Sequence, residues 1–325
     1  LFGSLSGSSV AASVAIGGVL IPMEEKEGYD KKFAAAVNIA SAPTGLIIPP
    51  SGILIIYPVL AGCSVVGMIM SGYIPGLMWA LACMVVAYVI AKKNHYPTAG
   101  KVPASVFFKY FVDAIPSLLL IVIIVGGVMS GIFTATESAA VAVAYTLFLS
   151  IVVYRSIKIK DLPKILLDAC ETTAVIMFLI AGSNVMSFVM SFTGLPSAIG
   201  NALISVSSNK YVILLIINLV LLVVGCFMDI TPAVLIFTPI FLPVVQSFGM
   251  DPIHFGIMMV MNLGIGNITP PVGSALFSGC SVADMDMEDM IKPILPFYAA
   301  IFVALMLVAY VPWFSMALPT LFGAV

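Results

Sequence analysis

Long apolar stretches separated by short polar loops run through the whole chain. With about 20 apolar residues needed to cross the hydrocarbon, runs at about 32–62, 65–91, 115–133, 134–154, 164–192, 254–283 and 294–318 predict membrane helices. Two further runs, up to Pro22 and from about 211 to 248, fit this template poorly. The second is interrupted at GCFMDITP (225–232), where Gly225, Asp229 and Pro232 break a helix at mid-depth. It reads as a re-entrant hairpin that enters and leaves on one side. The opening LFGSLSGSSVA is rich in Gly and Ser and suits the tip of a similar hairpin, whose first arm is expected before Leu1. The 254–283 run is itself interrupted by GNITPPVG (266–273), which puts two prolines inside an apolar segment.

Composition agrees with a polytopic membrane protein: 62% of residues are hydrophobic and 9% charged. A net charge of -2 and a single arginine, Arg155, leave no basic patch for a phosphate backbone, so nucleic acid is not expected as a partner. The five cysteines form no CxxC pair and the two histidines, His95 and His254, stand far apart, so neither a disulfide framework nor a zinc site is suggested. Lysines and Arg155 concentrate in EEKEGYDKK (24–32), KKNHYPTAGK (92–101) and RSIKIKDLPK (155–164). The positive-inside rule makes these loops cytoplasmic, so the second hairpin opens outward and the first inward. PASVFFKYFVDAIP (103–116) mixes aromatics with Lys109 and Asp113 and predicts an amphipathic helix lying in the interface. ADMDMEDM (283–290) reads as an acidic cytoplasmic loop.

The two ends of the chain repeat each other. Pro22, Gly28, Asp30, Gly45, Pro49, Pro50 and Gly52 match Pro243, Gly249, Asp251, Gly266, Pro270, Pro271 and Gly273; 243 - 22 and 273 - 52 both give 221, as do the other pairs. The same offset carries Ser8 onto Asp229. Each copy is thus a hairpin tip, its returning arm, a loop and a helix broken at GxxxPPxG. Because the loop of one copy is expected inside and that of the other outside, the copies form an inverted repeat, the architecture of secondary transporters that bind substrate and ions near the midplane.

Breaks of this kind free backbone oxygens at mid-depth, and oxygen ligands suit a hard cation such as Na+. One cation site per repeat is expected. The first uses Ser6, Ser8, Gly45, Ile48 and Pro50, and the second Gly225, Asp229, Thr231, Gly266 and Thr269. Replacing Gly45 or Gly266 by Val is expected to abolish a sodium response. Asp229 has two open readings, a ligand or gate, or a cap for the arm that starts at Ile230. Glu137 also has two, a polar seam between spans or the outer water interface, and the topology favours the interface.

LSGSSVA, GYDKKFAAAV leading into GLIIPPS, IFTATESAA (132–140) and NLGIGNITPPVG resemble the large membrane subunit of TRAP transporters, the tripartite ATP-independent periplasmic carriers, over the whole chain. The resemblance implies an all-α fold of the ion-transporter-superfamily type, an elevator with re-entrant hairpins and two broken helices, in the bacterial inner membrane. It implies sodium-driven import of an organic acid, such as a C4-dicarboxylate or sialic acid. The expected partners are a small membrane subunit, separate or fused, and a periplasmic substrate-binding protein. Such subunits normally begin roughly a hundred residues before Leu1. The expected division is a first repeat at 1–62, scaffold and connecting spans at 63–209, the second repeat at 210–283 and a C-terminal loop and span at 284–325. With no arginine within the spans, an anion would be held by helix N-termini, bound sodium and hydroxyl or amide groups near the breaks: Ser9, Asn38, Ser41, Thr44, Ser51, Asn267 and Ser274, with Asn262 nearby. A sodium/carboxylate symporter working without a binding protein would carry the same repeats. An intramembrane hydrolase would need a Ser–His pair, paired aspartates at mid-depth or an HExxH helix; the sequence has none, so no enzyme activity is expected.

Overall fold

The computed structural model describes residue 3 and residues 7–97, 103–207 and 209–324. Among these, all regular structure is helical, and six helices are long and apolar enough to cross a membrane. The chain divides into two compact units, residues 1–97 with 183–325, and residues 98–182.

The larger unit carries the two repeats, and their elements follow the predicted offset. Helix α1 (Ser9–Lys26) is matched residue for residue by a helix at Ile230–Ser247, and the short helix at Ile53–Ala61 by one at Ser274–Val282. Ser8 and Asp229 occupy the N-cap positions of the first pair. Asp30 and Asp251 each cap a following helix, accepting from the backbone N–H two residues on at 2.7 Å. Gly28 and Gly249 both have positive φ, and both Pro-Pro bonds are cis.

In the first repeat, α1 is followed by α2 (Lys31–Ser41) and α3 (Thr44–Ile47); after the break come α4 (Ile53–Ala61), α5 (Val65–Ser71) and α6 (Tyr73–Lys93). The predicted 32–62 span is therefore three helical pieces, and the 65–91 span is two joined at Gly72. The second repeat consists of α11 (Lys210–Phe227), α12 (Ile230–Ser247), α13 (Pro252–Asn267) and α14 (Ser274–Val282). Both arms of the 211–248 hairpin have 18 residues. Its tip at Met228–Asp229 is held against the second break, where the Cys226 carbonyl accepts from the N–H groups of Val272 and Gly273 at 3.2 and 3.4 Å.

Helix α13 lies at the centre of this unit. Its residues from Ile253 to Asn267 are all buried, which is why PIHFGIMMVMNLGIGN is apolar on every side. It is packed by α11, α12 and the later α15 (Met287–Tyr310). Tyr57 Oη donates to the Pro252 carbonyl at 2.6 Å, and Asn262 Nδ2 donates to the Asn218 carbonyl at 2.8 Å, while Asn262 Oδ1 is buried with no protein partner among the described residues. Trp79 Nε1 likewise fastens α6 to the Ala40 carbonyl of α2 at 2.9 Å. The predicted 294–318 span differs from the structure. Helix α15 starts within the expected acidic loop and ends at Tyr310, and a separate α16 (Trp313–Leu321) follows the extended Val311.

The smaller unit holds α7 (Ala104–Met129), α8 (Ala135–Phe148) and the start of α9 (Leu162–Thr193); α10 (Leu195–Val206) belongs to the larger unit. The expected interfacial helix at 103–116 is not a separate element: it runs unbroken into the following span as α7, with Pro116 inside. Proline removes one ladder donor, the one that would reach the Val112 carbonyl, without ending the helix, and the Tyr145 hydroxyl of α8 donates to the Pro116 carbonyl at 2.8 Å. Thr134 and Glu137 form a reciprocal capping box at the start of α8, with Glu137 exposed.

Candidate functional site

The second break is defined by close backbone contact. A Cβ on Gly266 would overlap the backbone of Gly225, and one on Gly225 would stand 3.1 Å from the Gly266 Cα. Only hydrogen side chains allow the hairpin arm and the broken helix to meet this closely. Past the break, Gly273 has φ +43°, and the carbonyl oxygens of Thr269 and Asn267 would stand 2.8 and 3.0 Å from any Cβ placed there. Two backbone oxygens, with the Thr269 nitrogen at 3.1 Å, therefore crowd one glycine.

Other groups at this break are already engaged. Thr269 Oγ1 donates to the Ile265 carbonyl at 2.6 Å, and the Tyr298 hydroxyl of α15 donates to the Ile268 carbonyl. Thr231 stands half-buried in the first turn of α12. Asp229, at the tip, is exposed and makes no side-chain capping bond; its Oδ1 lies 3.2 Å from the Ser274 hydroxyl.

The first break repeats this plan with differences. A Cβ on Gly45 would overlap the backbone of Gly3, the counterpart of the Gly225 contact. Gly7, with φ +63°, faces the Pro50 carbonyl, which a Cβ there would meet at 3.3 Å. Ser8 caps α1 by accepting from the Ala11 N–H at 3.3 Å. The Ile48 side chain packs on Gly76, so the Ile48 carbonyl is what this residue could offer a cation. Ser6 lies outside the described residues.

The seven residues expected to hold substrate fall into three places. Asn38, Ser41 and Thr44 line one cavity of about 360 Å³ with residues of α1 and α6. The hydroxyls of Ser41 and Thr44 donate locally, to the carbonyls of Asn38 at 3.1 Å and Ser41 at 2.7 Å, while Asn38 Nδ2 reaches the Ser13 carbonyl of α1 at 2.8 Å. Ser51, in the first break, is 2% exposed and its hydroxyl has no protein partner among the described residues. Ser9, Asn267 and Ser274 are brought together: Asn267 Nδ2 donates to Ser9 Oγ at 2.6 Å, and Ser274 donates to Asn267 Oδ1. Asn262, by contrast, is committed to Asn218 on α11, away from both breaks.

This arrangement brings three helix starts together. Ser9 is the first residue of α1, Ser274 the first of α14, and Asp229 the N-cap of α12. Helix N-termini present unpaired N–H groups and a positive dipole end, the usual environment for a carboxylate. Sequence reasoning missed Tyr298 and the Cys226 carbonyl. A tyrosine hydroxyl within an apolar helix was the only signal available for the former.

Broken helices, hairpin tips and N-termini gathered within an all-helical membrane protein define a polytopic transporter rather than an enzyme. Residues 1–314 match the family model described as tripartite ATP-independent periplasmic transporter, DctM component. YgiK of Salmonella typhimurium is 50% identical over 324 residues, covering 99% of this chain and 74% of that protein. The C4-dicarboxylate TRAP transporter large permease protein DctM of Pseudomonas aeruginosa is 38% identical, over 99% of this chain and 76% of its own length. The sialic acid TRAP transporter large permease protein SiaM of Vibrio cholerae is also 38% identical, over 99% and 75%. The chain belongs to the DctM family, the large permease component of the TRAP transporters, multi-pass proteins of the bacterial inner membrane.

Proposed function

We propose that this permease imports an organic acid of the C4-dicarboxylate or sialic-acid type, driven by sodium. Relatives named for both substrates support the class. A periplasmic binding protein delivers the acid, and a small membrane subunit, separate or fused, completes the carrier. The observation that carries this reading is the convergence of the α1, α12 and α14 N-termini through Ser9, Asn267, Ser274 and Asp229. The acid's carboxylate sits among these helix starts, with Ser51 as a further hydroxyl donor and Asn38, Ser41 and Thr44 lining the cavity beside α2.

Asp229 explains why a cation must accompany the anion. Two like charges about 4 Å apart repel by roughly 4 kcal/mol at an effective dielectric of 20. Sodium beside Asp229 removes that penalty. Its further ligands in the second repeat are Gly225, Thr231, Gly266 and Thr269, and those of the first repeat's ion are Ser6, Ser8, Gly45, Ile48 and Pro50. Movement of the inverted repeats as a rigid elevator carries both ions and the acid across.

The test is uptake of labelled C4-dicarboxylate and sialic acid into proteoliposomes holding the intact permease and its small subunit. Accumulation requiring both an inward sodium gradient and the binding protein is expected. Uptake that needs sodium but no binding protein identifies the simpler symporter, and uptake indifferent to sodium overturns the coupling.

A further inference from the structure

The hydrogen bonds of Asn267 tie the second break to the first hairpin. Asn267 is the last residue of α13 and is 2% exposed. Its Nδ2 donates to Ser9 Oγ at 2.6 Å across 258 positions of sequence, and its Oδ1 accepts from Ser274. Ser9 is itself 3% exposed and directly follows the Ser8 cap. Both ends of the amide are thus held by buried or half-buried hydroxyls, one from each repeat.

The link has no counterpart in the other direction. At the repeat offset, Asn267 corresponds to Leu46, Ser274 to Ile53 and Ser9 to Ile230. The equivalent place is apolar, although the helices around it match. A feature needed only to pack the repeats would be expected twice. This one occurs once, and it ends on the charged tip.

Ser274 gives the link a direction. Its hydroxyl has one proton and two acceptors in reach, Asn267 Oδ1 and, at 3.2 Å, Asp229 Oδ1. A bare carboxylate is the stronger acceptor and draws the proton toward Asp229. A cation on Asp229 competes for that oxygen and returns the proton to Asn267, which steadies the amide and its bond to Ser9. We propose that Asn267 is a positioning residue that couples cation occupancy of the second repeat to the first hairpin tip, so that the two sodium sites fill cooperatively. This rests on the sodium reading above. Linkage makes the effect reciprocal: an ion in the first repeat raises affinity in the second by the same factor.

Equilibrium binding of radioactive sodium to the intact permease with its small subunit, in detergent, tests this without a substrate. Coupling of about 5-fold, the low end for such effects, gives a Hill coefficient of about 1.4 for two sites. The wild type and Ser9→Thr, which keeps the hydroxyl, are expected to show it. Ser9→Ala and Asn267→Leu, the residue found at the matching position, are expected to fall to about 1 while still binding sodium. A merely structural contact would change stability without changing cooperativity. A wild type with a Hill coefficient of 1, or a Ser9→Ala protein as cooperative as the wild type, overturns the coupling but leaves the sodium reading standing. A wild type that binds no sodium removes the sodium reading itself.

Discussion

Gly225 and Gly266 meet backbone to backbone, the arm of the second hairpin against the end of the broken helix. A methyl group at Gly266 falls onto main-chain atoms, which cannot rotate away as a side chain can. Overpacking of well-packed sites costs about 1–3 kcal/mol, and here the upper end is expected. Gly266→Ala should lower the detergent melting temperature and abolish uptake while the protein still inserts. Gly45→Ala, set against Gly3, should behave alike. Wild-type melting and transport in both would show that the close approach is unimportant.

Tyr298 reaches from α15 to the carbonyl of Ile268, at the point where α13 ends. Tyr298→Phe leaves that carbonyl without its partner, at a cost of about 1–3 kcal/mol if the group stays dry. Its neighbours Gly266 and Thr269 belong to the proposed second cation site. The half-saturating sodium concentration for uptake should therefore rise several-fold while the maximal rate changes less. An unchanged sodium dependence would remove Tyr298 from the support of the site.

Glu137 belongs to the capping box with Thr134 and is exposed. Glutamine at this position keeps the reciprocal hydrogen bonds. Glu137→Gln should thus transport at wild-type rates with wild-type sodium dependence. A large loss of uptake would instead put this carboxylate on the transport path.

Asp229 carries the charge in the proposed site, and Asp229→Asn keeps its size and its acceptor toward Ser274. Hydrogen bonds to charged groups contribute about 1.5–3 kcal/mol against roughly half that for neutral ones. Sodium affinity should fall on the order of tenfold, read as the half-saturation of equilibrium binding. A wild-type affinity would mean that backbone oxygens alone hold the ion.

Much of this fold was legible because prolines, glycines and capping aspartates act locally. Pro49–Pro50, Pro270–Pro271, Asp30 and Asp251 end or begin helices by removing or satisfying backbone donors next to them, so one offset located both repeats. The continuity of α7 through Pro116 was not legible, since a proline within a long apolar membrane helix is tolerated as often as it ends one. Nor was the end of α15 at Tyr310, where an apolar run continues across Val311. At the site, Ser9, Asn267 and Ser274 were chosen for polarity near the breaks, but that they touch depends on tertiary packing across 258 positions. Ser41 and Thr44 looked the same in sequence, yet their hydroxyls are engaged with carbonyls three residues back.

The most direct test of the central claim is the melting temperature of the intact permease with its small subunit, titrated with sodium against potassium or choline at constant ionic strength. A ligand bound only by the folded state stabilises it by about 2.7 kcal/mol at a hundredfold excess over Kd. The account predicts a saturable rise specific to sodium, which Asp229→Asn shifts to higher concentration. Superimposable curves for sodium, potassium and choline would contradict it.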